Sequence, residues 1–448
     1  MLIVSAIDSI RTLPTSAFFG GSLCFFFFLA TILFLLPVAF ISAEFSSRFP
    51  DKGGVFYWVL HAFGDRAGAL TVWLQWINTM VWYPTMLLFI AGTGAYLLDP
   101  NLAQNKMFLL LGSLILFWGM TLFNLNGIKI SARINSICGS IGTIFPMIFL
   151  ILLGVGWVAM GYPVAIAWNV RLSSFEWLDS SSALVSIMAS FLGMELAGVH
   201  VGDIENPQKN FPKAIGYSVF ILLTTLLLGS LSIAAVIPKE EIQFIGGIMQ
   251  TFTTFCDVFH LSFLVPVLAF LIAIGSTGGS VNWLLSPAKG LLQAAEHGFL
   301  PNYFSVKNQH DVPVRIMIVQ AVLVSLLCLA IQSVPSINAY YWVLMAVSTS
   351  LYMIMYMFMF AAAWKLKRNV SSGYQIPKGL RTFSIFSGLA GCAITIFVSL
   401  LPSPDAVVEN KLTYSLLVVA GLLLLISPVG ILWRYKKSKT GNILVPFE

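Results

Sequence analysis

Ser190-Phe191-Leu192-Gly193-Met194-Glu195-Leu196-Ala197-Gly198-Val199-His200 is the stretch on which the reading of this chain turns. An acidic residue set between two glycines closes a charge-free run, 180–194, and a polar sequence through Asp203, Glu205, Asn206 and Pro207 follows. A helix needs about 20 apolar residues to cross a bilayer, so this run is too short for a regular span. Short, glycine-interrupted apolar segments are where secondary transporters bind their solutes. Glu195 has two readings: a bond to a neighbouring helix, or a charge that serves a solute or a proton. His200 is either a structural residue near the inner mouth or a proton-coupling group.

The surrounding composition supplies the membrane. Of 448 residues, 58% are hydrophobic and 9% charged, whereas a soluble domain carries roughly 25% charge and 45–50% apolar residues. A soluble enzyme is excluded. Charge-free gaps run 12–43, 67–98, 107–128, 134–170, 180–194, 214–238, 258–288, 316–364, 382–404 and 412–433. The gap 316–364 holds two helices, split near Pro335-Ser336-Ile337-Asn338, where turn formers cluster. Eleven spans result, and the segment before Arg11 is a fragment of a twelfth. The fold class is therefore an all-α polytopic membrane protein, a single transporter domain over 1–448.

The net charge of +6 does not point to nucleic acid, because the basic residues sit in loops between spans. With the loop after the second span placed in the cytoplasm, 19 of the 24 Lys and Arg residues fall inside. Lys106, Arg171, Lys239 and Lys411 fall outside, and Arg11 lies near membrane depth. This bias puts the C-terminal tail, 436–448, in the cytoplasm. A signal peptide over residues 1–30 fits poorly, since Arg11 follows apolar sequence and the apolar run continues to Phe40. Cys24, Cys138, Cys256, Cys328 and Cys392 lie in or beside apolar stretches with no CxxC spacing. They read as small apolar residues, not as disulfides or a metal site. Two cytoplasmic segments, 53–64 and Pro287 to Phe299, read as interfacial or re-entrant helices carrying His61 and His297.

A second polar break stands at the start: Ser5-Ala6-Ile7-Asp8-Ser9-Ile10-Arg11-Thr12-Leu13-Pro14. Asp8 and Arg11 either pair across one helical turn or belong to a broken helix whose backbone and charges meet a solute. The two breaks lie about 185 residues apart in this sequence. Each opens a five-helix unit, 1–160 and 181–364, as an inverted repeat requires. Two further helices occupy 381–435. Gly279 and Trp283 share a helix face in the eighth span, and Tyr352 and Tyr356 share one in the tenth. The tyrosines either pack or turn their hydroxyls to the pathway.

At these residues the chain resembles the amino acid–polyamine–organocation superfamily, and is most similar to its glutamate/γ-aminobutyrate antiporter branch. The likeness is carried by Ala43-Glu44 with Gly53-Gly54-Val55-Phe56, and by Gly193-Met194-Glu195 with the run Asp203 to Pro212. Ser286-Pro287-Ala288-Lys289-Gly290 and Gly298-Phe299-Leu300-Pro301 extend it. Val236-Ile237-Pro238 and Gly247-Ile248-Met249-Gln250-Thr251-Phe252 look like the antiporter branch in particular.

The resemblance implies twelve helices with a five-plus-five inverted repeat, and exchange of amino acids or their decarboxylated amines. It implies a substrate site at Ile7, Asp8 and Ser9, at Ser190, Phe191 and Gly193, with like residues at Glu195, Trp283, Tyr352 and Tyr356. The chain departs from the pattern in three places. Ile7-Asp8-Ser9 stands where many members have Gly-Ser-Gly, Arg11 stands near a tyrosine of the branch, and Gly279 stands where the branch has an acid. Family members also have one more half-helix before the position of Met1, so the start is expected about 15–25 residues upstream.

The leading expectation is an amino-acid antiporter working by alternating access in a bacterial inner membrane, with no cofactor. The alternatives are a proton-coupled symporter using Glu195, Asp8 or His200, and a truncated, non-transporting paralogue. The partners expected are an amino acid or derived amine, protons and membrane lipid, with the chain a monomer or a homodimer. An intramembrane enzyme would need converging metal or acid–base groups, and the five histidines are scattered.

Overall fold

The computed structural model describes residues 10–49, 54–125, 138–166, 182–196, 206–334, 336–366, 374–402 and 411–431. Among them every regular element is helical, and nine helices are long and apolar enough to cross a membrane. This is an all-α polytopic membrane protein. In lipid a backbone must satisfy its own hydrogen bonds, and helices do so within one segment.

The first described segment is short. A 3-10 turn, Ile10–Thr12, runs into α1 (Leu13–Ala17), with Pro14 in the first turn. There its missing N–H removes no helical bond. The chain then enters the continuous span Gly20–Arg48, made of α2 (Leu23–Ala30), a π-turn at Thr31–Leu35 and α3 (Leu36–Arg48). Pro37 cannot donate to the carbonyl four residues back, and the π-turn takes up that mismatch.

Next come α4 (Val55–Phe63) and α5 (Asp65–Ala95). α5 has 31 residues but is not among the nine apolar spans. Gln75, Asn78, Thr79, Thr85 and Thr93 dilute its hydropathy, and all are buried, so its polar side chains face the bundle and not lipid. α6 (Lys106–Asn124) follows, then a π-turn at Ser140–Ile144 and α7 (Phe145–Ala159). This π-turn again precedes a proline, Pro146. Gly142, four residues before it, crosses Gly275 backbone to backbone with no room for a Cβ on either.

α8 (Ser182–Ser190) is the second short segment, and it ends in a turn at Phe191–Gly193 and a 3-10 turn at Met194–Leu196. α9 (Pro207–Val236), α10 (Gly247–Val258), α11 (Leu264–Glu296), α12 (Val314–Leu329), α13 (Ile337–Lys365), α14 (Lys378–Ser399) and α15 (Lys411–Ile426) complete the fold. Ser336 caps α13 by accepting from the Ala339 N–H at 3.5 Å. α11 and α13 both pack on α5, and α8 lies beside α1, α13 and α14. The outer faces of α6, α7, α12 and α15 expose Leu, Ile and Phe, as a lipid-facing surface does.

The two segments expected as interfacial helices behave differently. Val55–Phe63 is a separate short helix with Trp58 and Val59 fully buried. Pro287 to Glu296, in contrast, is the end of α11, which continues unbroken through Gly278–Trp283 and Pro287. Both histidines on these segments bond their own helix. Nδ1 of His61 pairs with the Tyr57 carbonyl at 2.7 Å, and Nδ1 of His297 with the Gln293 carbonyl at 2.8 Å.

Candidate functional site

The two short segments meet in the middle of the bundle. The Ser186 hydroxyl of α8 donates to Thr15 Oγ1 of α1 at 2.8 Å and lies 3.4 Å from Ser16 Oγ. α8 ends because Gly193 takes φ +103, a conformation that L side chains rarely adopt. A Cβ there would lie 2.5 Å from the Trp283 ring, so glycine is required by both backbone and space. The turn that follows aims Glu195 into the bundle.

Glu195 is 1% exposed. Gln75 Nε2 donates to its Oε1 at 3.1 Å, and the Tyr352 hydroxyl donates to the same oxygen at 2.6 Å. The Tyr356 hydroxyl donates to Oε2, and itself accepts from the Gly193 N–H at 3.1 Å. Tyr352 and Tyr356 are one turn apart on α13, which is why one helix reaches both carboxylate oxygens. Among the described residues no cation touches Glu195.

Arg11 is the second buried charge, 4% exposed. Its Nη1 donates to Thr85 Oγ1 at 2.9 Å and to the Tyr341 hydroxyl at 2.8 Å. The guanidinium lies 5.4 Å from the Trp82 ring centroid and 5.7 Å from that of Tyr341. Its Nε is buried with no hydrogen-bond partner. Trp82 stacks on Trp283 at 5.3 Å and 25°, and Trp283 leans on Tyr352 at 6.0 Å. A chain of rings thus links the two charges. A small cavity is lined by Arg11, Thr85, Ser348 and Thr349 together with Ala189 and Leu192, which flank the end of α8.

The charges sit at different depths. Arg11 is held at Thr85 of α5, and Glu195 at Gln75. Ten residues of helix separate these positions, about 15 Å at 1.5 Å per residue. Between them Ser348 donates to Asn78 Oδ1 at 2.5 Å.

The structure brings together Arg11, Gly193, Glu195, Trp283, Tyr352 and Tyr356. Gly279 is half-buried one turn before Trp283 on α11. Ser190 and Phe191 point elsewhere. The Ser190 hydroxyl donates to the Ile187 carbonyl of its own helix at 2.7 Å, and the Phe191 ring packs edge-on against Phe27 at 5.9 Å. Their side chains are spent on the helix end, so any contact with a solute would be through backbone. Ile7, Asp8, Ser9 and His200 lie outside the described residues.

Gln75, Asn78, Trp82, Thr85 and Tyr341 are site residues that the motif-led reading missed. Gln75, Asn78, Trp82 and Thr85 recur at spacings of three, four and three, a polar stripe on one face of a long apolar helix. That stripe was the available signal.

The model of the family described as amino acid permease matches residues 1–423. The chain belongs to the amino acid permease family. An uncharacterized transporter of Legionella pneumophila is 39% identical over 98% of the permease and 95% of its own length. A glutamate/γ-aminobutyrate antiporter of Lactococcus lactis is 30% identical over 93% of the permease and 86% of its own length. A probable agmatine/putrescine antiporter of the same species is 23% identical over 78% and 74%. The family and these relatives are transporters, and the permease is a multi-pass membrane protein of that kind.

Proposed function

We propose that this permease is an antiporter in a bacterial inner membrane, exchanging an amino acid for another amino acid or for the amine left by its decarboxylation. The observation that carries the reading is the break after α8, where Arg11 lines a cavity beside the helix end and the buried Glu195 follows in the next turn, each met among the described residues by neutral groups. Charges held this way in a membrane protein mark a solute or ion path. The solute's head group sits at the break, where the last carbonyls of α8 carry partial negative charge suited to an ammonium.

Alternating access in this reading rests on two repeats of five helices, with the C-terminal tail in the cytoplasm. The element pattern supports the pairing. In each unit the first described helix is short, and the third member is the longest, Asp65–Ala95 in one and Leu264–Glu296 in the other. Each also carries a short helix between its second and third members, Val55–Phe63 and Gly247–Val258. Names of relatives add antiport over symport.

Counterflow in proteoliposomes tests the reading. Vesicles loaded with one amino acid or amine are expected to take up labelled solute, and empty vesicles are not. Uptake into empty vesicles that scales with an inward proton gradient would overturn exchange and establish a symporter. That second reading has its own observation: the side chains bonded to Glu195 among the described residues, two hydroxyls and an amide, tolerate its protonation. Asp8 and His200 are the further groups proposed to take part in it.

A further inference from the structure

We propose that Arg11 is an anion subsite that holds a carboxylate at the far end of the transported solute, so that the permease selects amino acids with acidic side chains. This rests on the exchange reading above only for which two solutes are paired. The starting point is a residue that has no structural need to be charged. Arg11 is almost fully buried, yet its described partners are hydroxyls and aromatic faces, Thr85, Tyr341 and Trp82. Among the described residues no carboxylate faces it. Its Nε has no partner, although an arginine carries five donors and buried donors are normally bonded. A buried cation left this way is costly unless a further anion arrives.

The second observation is where Arg11 lies. It lines the same small cavity as Ala189 and Leu192, at the end of α8. Ser348 and Thr349 complete the lining with hydroxyls, and Trp82 and Leu344 give it an apolar side. A short solute with its ammonium at the break would direct its other end at the guanidinium. A carboxylate there would meet a planar donor fork, which binds carboxylates in bidentate fashion.

The chemistry of exchange then narrows the pair. Loss of the α-carboxyl from an acidic amino acid leaves an amine that still carries the side-chain carboxylate. Arg11 would hold the group common to both members, glutamate with γ-aminobutyrate or aspartate with β-alanine. Loss of the α-carboxyl from a basic amino acid leaves a polycation with nothing for Arg11 to hold. The geometry therefore sorts this permease with carriers of acidic solutes and away from agmatine and putrescine.

The test is counterflow at pH 7 with labelled glutamate, aspartate, γ-aminobutyrate, glutamine, agmatine and putrescine. Glutamine differs from glutamate by the charge alone, so the unmodified protein is expected to prefer glutamate at least tenfold. Arg11→Gln is expected to abolish that preference, and Arg11→Lys to keep part of it. Asp8→Asn is expected to change the rate of transport but to keep the ratio of glutamate to glutamine. Equal transport of glutamate and glutamine by the unmodified protein would overturn the subsite whether or not any variant folds. So would exchange of agmatine for putrescine, or a glutamate preference that survives in a folded Arg11→Gln protein. A collapse of the preference in Asp8→Asn would assign Arg11 to a pair with Asp8 and also overturn it. Glutamate preference seen with proton-driven uptake into empty vesicles would keep the subsite and overturn only exchange.

Discussion

Two buried carboxylates of this permease are treated in opposite ways. Glu44, near the end of α3, accepts from Arg381 Nε of α14 at 2.8 Å. Nη2 of the same arginine donates to the carbonyls of Ala363 at 2.5 Å and Leu366 at 3.2 Å, so one guanidinium ties the ends of α3, α13 and α14. Among the described residues, the Glu195 side chain in mid-bundle meets the side chains of an amide and two tyrosines, and Arg11, roughly 15 Å away along α5, meets hydroxyls and rings, with no opposite charge at either. Charges that neutralise each other are fixed parts of the scaffold. Charges answered by dipoles alone stay available to whatever enters, which is what a carrier requires of its binding site.

That contrast predicts where mutations hurt, and the largest loss of stability belongs to the paired site. Arg381→Ala leaves Glu44 buried and alone, and breaking a buried pair costs about 3 kcal/mol or more. A melting curve in detergent is expected to fall by several degrees, with Glu44→Ala falling similarly. If the double variant melts no higher than the additive sum of the two, the pair is not coupled and the contrast fails. Next in size is Gly193→Ala. Its positive φ costs about 1–3 kcal/mol for an L residue, and its Cβ would displace Trp283. Both melting temperature and transport should drop; an unchanged transport rate would remove the break from the site. Smallest is Lys307→Ala. The Lys307–Glu296 bridge is exposed at 36% and 41%, and such pairs contribute about 1 kcal/mol at most. A melting shift as large as that of Arg381→Ala would show that exposure does not separate the classes.

Much of this was legible before any coordinates. The broken segment around Glu195, the split near Pro335 and the tyrosines one turn apart on α13 follow from apolar run lengths and helical period. Period alone states which residues share a face, not which helix that face meets. Hence Gln75 as a donor to Glu195, and Thr85 and Tyr341 as the seats of Arg11, were hidden: their partners lie 120, 74 and 330 residues away in sequence. Pro287 misled for a local reason. The sequence around it mixes small, apolar and charged residues like an interfacial helix, yet α11 simply carries on through it to Glu296. Ser190 misled because serines near helix ends often bond their own backbone, which the motif does not reveal.

The central claim is that Glu195 serves transport and not the fold, and Glu195→Gln tests it on one purified preparation. Glutamine keeps the shape and can still bond Gln75, Tyr352 and Tyr356. The stability read from its melting curve is expected to stay within about 1 kcal/mol of that of the unmodified protein, as for a site where hydrogen bonds are exchanged and not lost. Counterflow measured between pH 5 and pH 8 is expected to fall at least tenfold or to lose its pH dependence. A variant that melts far below the unmodified protein, or one that exchanges solute at the same rate with the same pH profile, would contradict the account.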